Sequence, residues 1–135
     1  MRVHVTYDYA IIRVVPRVER AEFVNAGVIL WCQVDDRLEA RIEIDPARLL
    51  ALDPHVDIEV VRQHLAAIPL ICQGGEGSGP IGRLTPRERF DWLIAPRSTM
   101  IQTSAVHTGQ CTDSGTLIEH LLRTMVRSPG ANPPQ

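Results

Sequence analysis

"AGVILWCQVDDRLEARIEI", residues 26–44, is the stretch whose reading decides the fold. Ala26 to Cys32 is apolar at every position, so a strand here must be covered on both faces. Asp35 and Asp36 then supply a turn. After them Leu38, Ala40, Ile42 and Ile44 alternate with Glu39, Arg41 and Glu43, the pattern of a half-exposed strand. Two such strands joined by a short polar connection predict an antiparallel hairpin.

Working upstream, Tyr7–Val15, "YDYAIIRVV", is β-branched and aromatic and is stopped by Pro16. It too is apolar on both faces, which predicts a central strand. "RVERAEF" between them reads as an irregular turn or short helix. "FVNAGV" places Asn25 and Gly27 at the entry to the second strand. That is either an asparagine-driven turn with a glycine for close backbone approach, or a side-chain amide presented at the sheet edge.

Downstream the pattern turns helical. Asp45-Pro46 is an N-cap with proline at the first helical position, and Asp53-Pro54 ends the short helix that follows. Asp57 caps a second helix with Ile58, Val61, Leu65 and Ile68 at helical spacing, which Pro69 should kink or stop. "QGGEGSGPIG" is a glycine-rich loop. Thr85-Pro86-Arg87-Glu88 is a capping box opening a helix that must end before Pro96. Met100 to Val106 reads as a fourth strand, closed by a turn at His107-Thr108-Gly109. Asp113 or Ser114 caps a last helix with Leu117, Ile118, Leu121, Leu122, Met125 and Val126 as its stripe, and Glu119, His120, Arg123 and Arg127 facing water.

This order predicts an α+β fold: a small antiparallel or mixed sheet of about four strands with three to four helices packed on one face. Residues 1–127 are expected to form a single domain and 128–135, "SPGANPPQ", a disordered tail.

Composition limits the function classes. At 44% apolar and 22% charged the chain is globular rather than disordered. A net charge of −2 gives no general attraction to nucleic acid or anionic membrane. The basic Arg83-Arg87-Arg89-Arg97 segment is diluted by Glu88 and Asp91, which also argues against nucleic acid. All fourteen basic residues are arginine, so neither a Schiff-base lysine nor a Walker-type lysine is available. The three cysteines, Cys32, Cys72 and Cys111, fit neither a disulfide framework nor paired zinc knuckles, and reduced thiols in a cytosol are expected. No metal and no cofactor is expected. The N-terminus has no apolar signal region and no apolar run spans a membrane, so a cytoplasmic location is expected.

"GSGPIG", Gly77–Gly82, matches a dinucleotide fingerprint in letters only. It follows a helix, contains Pro80 and does not open the next helix, so it reads as a connector. His107 and Cys111 sit four apart, without the further ligands a zinc site needs.

The polar stretch "APRSTMIQTSAVHTG", residues 95–109, is the candidate site. Pro96 puts Arg97, Ser98 and Thr99 on a loop where a helix end meets a strand. Arginine with adjacent hydroxyls and free N–H groups suits a carboxylate or phosphate. In an alternating strand Gln102 and Ser104 share one face, and Thr103 and His107 the other. Arg13 shares a face with Tyr9 and Ile11, where a guanidinium either pairs with Glu19 or Glu22 or binds an anion. The candidate binding set is therefore Arg13, Asn25, Arg97, Ser98, Thr99, Gln102, Ser104, His107 and Thr108, with His107 the best catalytic candidate.

"YDYAIIRVVPRVERAEFVNAGVILWC" together with "RFDWLIAPRSTMIQTSAVHTG" resembles a bacterial family known only as domain-of-unknown-function family 3037, from about Tyr7 to Val126. The resemblance implies a cytoplasmic bacterial protein without an assigned activity, associated with kinases of the HipA-like fold. It carries over no catalytic residues. Two functions are then in view. One is a non-catalytic accessory or regulatory module with a protein partner, for example a kinase-like one, or a second copy of itself. The other is a small enzyme gripping a phosphate-bearing or other anionic substrate through Arg97 and Arg13, with His107 as acid or base.

Overall fold

The computed structural model describes residues 4–129. Five strands form one open antiparallel sheet. β1 (Val5–Val14) is central, with β2 (Val24–Cys32) on one side and β3 (Arg37–Ile42) beyond it. β4 (Ile101–Thr103) and β5 (His107–Cys111) lie one after the other along the opposite side of β1. The β2–β3 hairpin is antiparallel, with Gly27 opposite Ile42 and Cys32 opposite Arg37.

Chemistry at the helix ends sets the helical boundaries. Asp45 accepts the Arg48 N–H at 3.2 Å and opens α1 (Pro46–Leu52). Asp57 accepts from Glu59 and Val60 at 3.1 and 3.2 Å and opens α2 (Ile58–Gln73). Thr85 and Glu88 close a reciprocal capping box on α3 (Pro86–Leu93). Asp113 caps a short 3₁₀ turn before α4 (Leu117–Leu121), which runs into a π turn at Leu122–Val126.

Pro69 does not stop α2, which continues to Gln73. Two contacts hold the segment after the proline. Cys72 is buried in the core with Ile71 packed against it, and the Arg89 guanidinium donates to the carbonyls of Ile71 and Cys72 at 2.8 and 2.6 Å.

The α+β class stands, but helices cover both faces of the sheet rather than one. Leu49, Val61, Leu65, Phe90 and Leu93 of α1–α3 pack with Ile12, Val14, Ile29 and Trp31 on one face. On the other, Leu117, Ile118, Leu121, Leu122 and Val126 pack with Ile11, Val28, Leu30 and Cys32. The reason is the one visible in the strands: β1 and β2 are apolar on both sides, and a single layer of helices leaves one side wet.

The last stretch of the sheet is divided in two. Met100–Val106 is not one strand ended by a turn at His107-Thr108-Gly109. The chain pairs at 101–103, breaks, and pairs again at 107–111. Ile12 faces Thr103 and Tyr9 faces His107, so the outer strand carries one more residue than β1 across the break. Ser104 makes the break tolerable. Its N–H donates to the Ile11 carbonyl and its Oγ accepts the Ile11 N–H, both at 2.8 Å. Gly109 sits in β5 because the Tyr7 ring lies against it: a Cβ there would fall 2.5 Å from the Tyr7 Oη.

β2 carries a matching irregularity. Ile12 faces Gly27 but Arg13 faces Asn25, leaving Ala26 as an extra residue. Gly27 is needed because a Cβ would fall 2.5 Å from the Arg41 carbonyl oxygen of β3.

Of the predicted tail, Ser128 and Pro129 are described, and residues 130–135 lie outside the described residues. Glu119 is exposed as expected, whereas Arg127 is partly buried, and the two lace the C-terminal helical segment to Arg41 of β3 and to Glu43 just beyond it. Arg127 binds Glu43 at 2.7 Å and Glu119 at 2.7 Å, and Glu119 also meets Arg41 at 3.1 Å.

Candidate functional site

The sheet divides the sequence-derived candidates. Arg13 follows Ile11 in strand alternation and lies on the α4 face, where its guanidinium stacks over Phe23 at 4.2 Å. It pairs with neither Glu19 nor Glu22, because those carboxylates serve Arg17 and Arg20. Its register neighbours Asn25 and Gln102 share that face. Asn25 donates to the Met125 carbonyl at 2.9 Å and so ties the π turn to β2. Ser104 is spent on Ile11. His107 stacks on Tyr9 at 5.3 Å, so it lies on the same face as Gln102 and Ser104 rather than opposite them. The extra residue between β4 and β5 shifts the alternation and explains the change. Burial, then the neighbouring Tyr9, holds the Tyr7 phenol above its ordinary pKa.

Arg97 stands on the other side of the sheet. Its guanidinium donates to the carbonyls of Trp92, Leu93 and Ala95 at 2.7, 2.9 and 3.2 Å and stacks over the Trp92 ring at 4.5 Å. It closes the C-terminal end of α3, where carbonyls otherwise lack partners. Thr99 caps the Ile101 carbonyl at 3.1 Å, and Gln102 reaches back to the Thr99 carbonyl at 2.9 Å. Ser98 is exposed. Thr108 donates to Asp8 at 2.7 Å, and Asp8 also holds Arg87 at 3.1 Å. Arg13 and Arg97 therefore lie on opposite faces and share no cleft; one anion cannot be gripped by both.

What the fold does assemble is a cleft of about 490 Å³ between α2, α3 and β4. α2 contributes His64, Ala67, Ile68 and Ile71; α3 contributes Trp92 and Leu93. Arg97 and the run Thr99, Met100, Ile101, Gln102 and Thr103 into β4 complete the wall. No carboxylate lines it, so its walls are apolar with a guanidinium and an imidazole at the rim. Trp92 is 40% exposed there, which is high for so large an apolar ring.

Sequence reasoning found Arg97, Thr99 and Gln102 of this cleft and missed the rest. A signal was present. His64, Ala67, Ile68 and Ile71 recur at three- and four-residue spacing beside the core stripe of α2, so its apolar face is wider than the sheet alone requires.

Among the described residues no three His, Cys, Asp or Glu side chains gather as a metal site, and no helix is long and apolar enough to cross a membrane. The fold and cleft define a small α+β domain whose sheet keeps one edge open beside an apolar hollow. The family described as "Protein of unknown function (DUF3037)" matches residues 9–126, and the chain belongs to it. No curated protein and no solved structure matches.

Proposed function

We propose that this chain is an accessory or regulatory interaction module of the bacterial cytoplasm that binds another protein through the α2–α3–β4 cleft. One observation carries the reading: a cleft of about 490 Å³, apolar and free of carboxylates, stands open with Trp92 partly exposed in its wall. Hollows of this size and character are where proteins take ligands and anchor residues. The polar groups near it are committed to structure, Arg97 to the end of α3 and Thr99 to the Ile101 carbonyl. That arrangement favours docking over catalysis, which needs a titratable group aimed at a partner. Following the family resemblance, a kinase of the HipA-like fold is the partner to try first.

The test is co-expression with such a kinase encoded beside the gene, followed by capture of the tagged chain. Ala67→Asp places a carboxylate in the cleft from an exposed helix position, and Glu59→Gln on the same helix serves as control. The expected result is stoichiometric capture by the wild type and the control, lost at least tenfold in Ala67→Asp. Equal capture by Ala67→Asp, or no capture by the wild type, overturns the reading.

A further inference from the structure

We infer that the cleft receives its partner as an added β-strand: an extended segment, apolar at alternate positions and polar between them, that pairs with the outer edge of β4. The inference rests on the reading of the cleft as a protein-docking surface and specifies the occupant.

The backbone supplies the first reason. In an antiparallel pair, successive residues direct their N–H and C=O groups alternately toward and away from the partner. Val15 donates to the Met100 carbonyl and Ser104 donates to the Ile11 carbonyl, so Met100, Gln102 and Ser104 face β1. Ile101 and Thr103 therefore point their backbone groups outward. The Ile101 carbonyl is taken by Thr99, which leaves the Ile101 N–H and both Thr103 groups as a template for another strand.

Side chains supply the second. By register, Ile101 and Thr103 lie on the face of Val14 and Ile12, the face of the cleft, and both line it. A strand laid against β4 continues that alternation and sends every second side chain over the hollow walled by Ile68, Ile71 and Trp92. The remaining side chains fall on the opposite face of the sheet, that of Arg13 and its register partner Gln102.

The contrast between the two sheet edges is the third. β3, the other edge, carries Arg37, Glu39 and Arg41 in a six-residue strand, charges that discourage a further strand. β4 reads Ile101-Gln102-Thr103 and carries none.

The probes are capped ten-residue peptides alternating valine or isoleucine with polar residues, with scrambled peptides of the same composition. Trp92 emission reports occupancy, since Trp31 is buried. Thr103→Pro removes an outward N–H while leaving the β1 ladder intact, and proline is tolerated on an edge. We expect saturable binding of alternating peptides, at least tenfold weaker for scrambled ones and for Thr103→Pro, with slowed exchange at the Ile101 and Thr103 amides. Thermal melting of Thr103→Pro alone shows that it is folded. Binding without protection of those two amides overturns strand addition and leaves the docking module standing. Failure of every peptide overturns the inference, and so does self-association abolished by Thr103→Pro, which would make a second copy the occupant. Loss of kinase capture in the preceding experiment bears on the module alone.

Discussion

Ser104 Oγ accepts the amide hydrogen of Ile11 at 2.8 Å, across 93 positions of sequence and in a buried setting. A side chain there does the work of a ladder carbonyl, at the point where the outer strand changes from β4 to β5. Ser104→Ala leaves a buried amide unsatisfied and should cost about 1–3 kcal/mol in urea unfolding. Amide exchange at Ile11 should accelerate with it. A variant as stable as wild type would mean that water replaces the hydroxyl.

Arg89 makes a second long-range attachment. It is 8% exposed and donates to the carbonyls of Leu84, Ile71 and Cys72. It therefore holds together the end of α2 and the start of α3, both walls of the cleft. Arg89→Met should lose roughly 2–3 kcal/mol, since charged donors to buried carbonyls are among the stronger hydrogen bonds. Arg89→Lys should recover only part of this, because an ammonium lacks the planar fork. Denaturant midpoints for the three proteins give the ranking.

Acid should weaken the fold through two carboxylates. The Arg127 side chain hydrogen-bonded to Glu119 lowers that carboxyl's pKa, and the Thr85 backbone N–H and then its hydroxyl lower that of Glu88. A carboxyl with a lowered folded-state pKa contributes stability above its unfolded value of about 4.3 and loses it as pH falls through the folded one. The melting temperature should thus decline from about pH 5 downward. Glu119→Gln should flatten that decline while leaving the melt at pH 3 nearly unchanged.

The three thiols should separate by reactivity. Burial pushes the Cys72 thiol up to about 12, and burial likewise raises Cys32 against the opposing influence of Arg37. Cys111 is only partly buried. Iodoacetamide at pH 8 should therefore modify one thiol of the native protein, Cys111, and all three in urea. Mass mapping of the alkylated peptides checks the assignment, and native modification of Cys72 would contradict it.

Most of the frame was legible because its causes are local. The alternation of Leu38 to Ile44, the caps at Asp45, Asp57 and Thr85, and the doubly apolar β1 and β2 each specify an element without reference to distant residues. What escaped the sequence depends on partners far along the chain. The continuation of α2 past Pro69 needs Arg89, and the break at Ser104 needs Ile11. The candidate residues were dispersed in the same manner. Arg97 and Arg13 look like anion ligands in a linear reading, whereas folding assigns one to a helix end and lays the other over an aromatic ring.

Ala26 sets the phase of β2. With it, Val24 before the irregularity and Trp31 after it both enter the layer of three helices, although their spacing in a regular strand would send them to opposite sides. Deleting that one small side chain with its peptide unit would force the strand to choose. Either Val24 and Asn25 exchange sides, or everything from Gly27 to Cys32 turns inside out, putting Trp31 under the C-terminal helix and Leu30 where the indole had been.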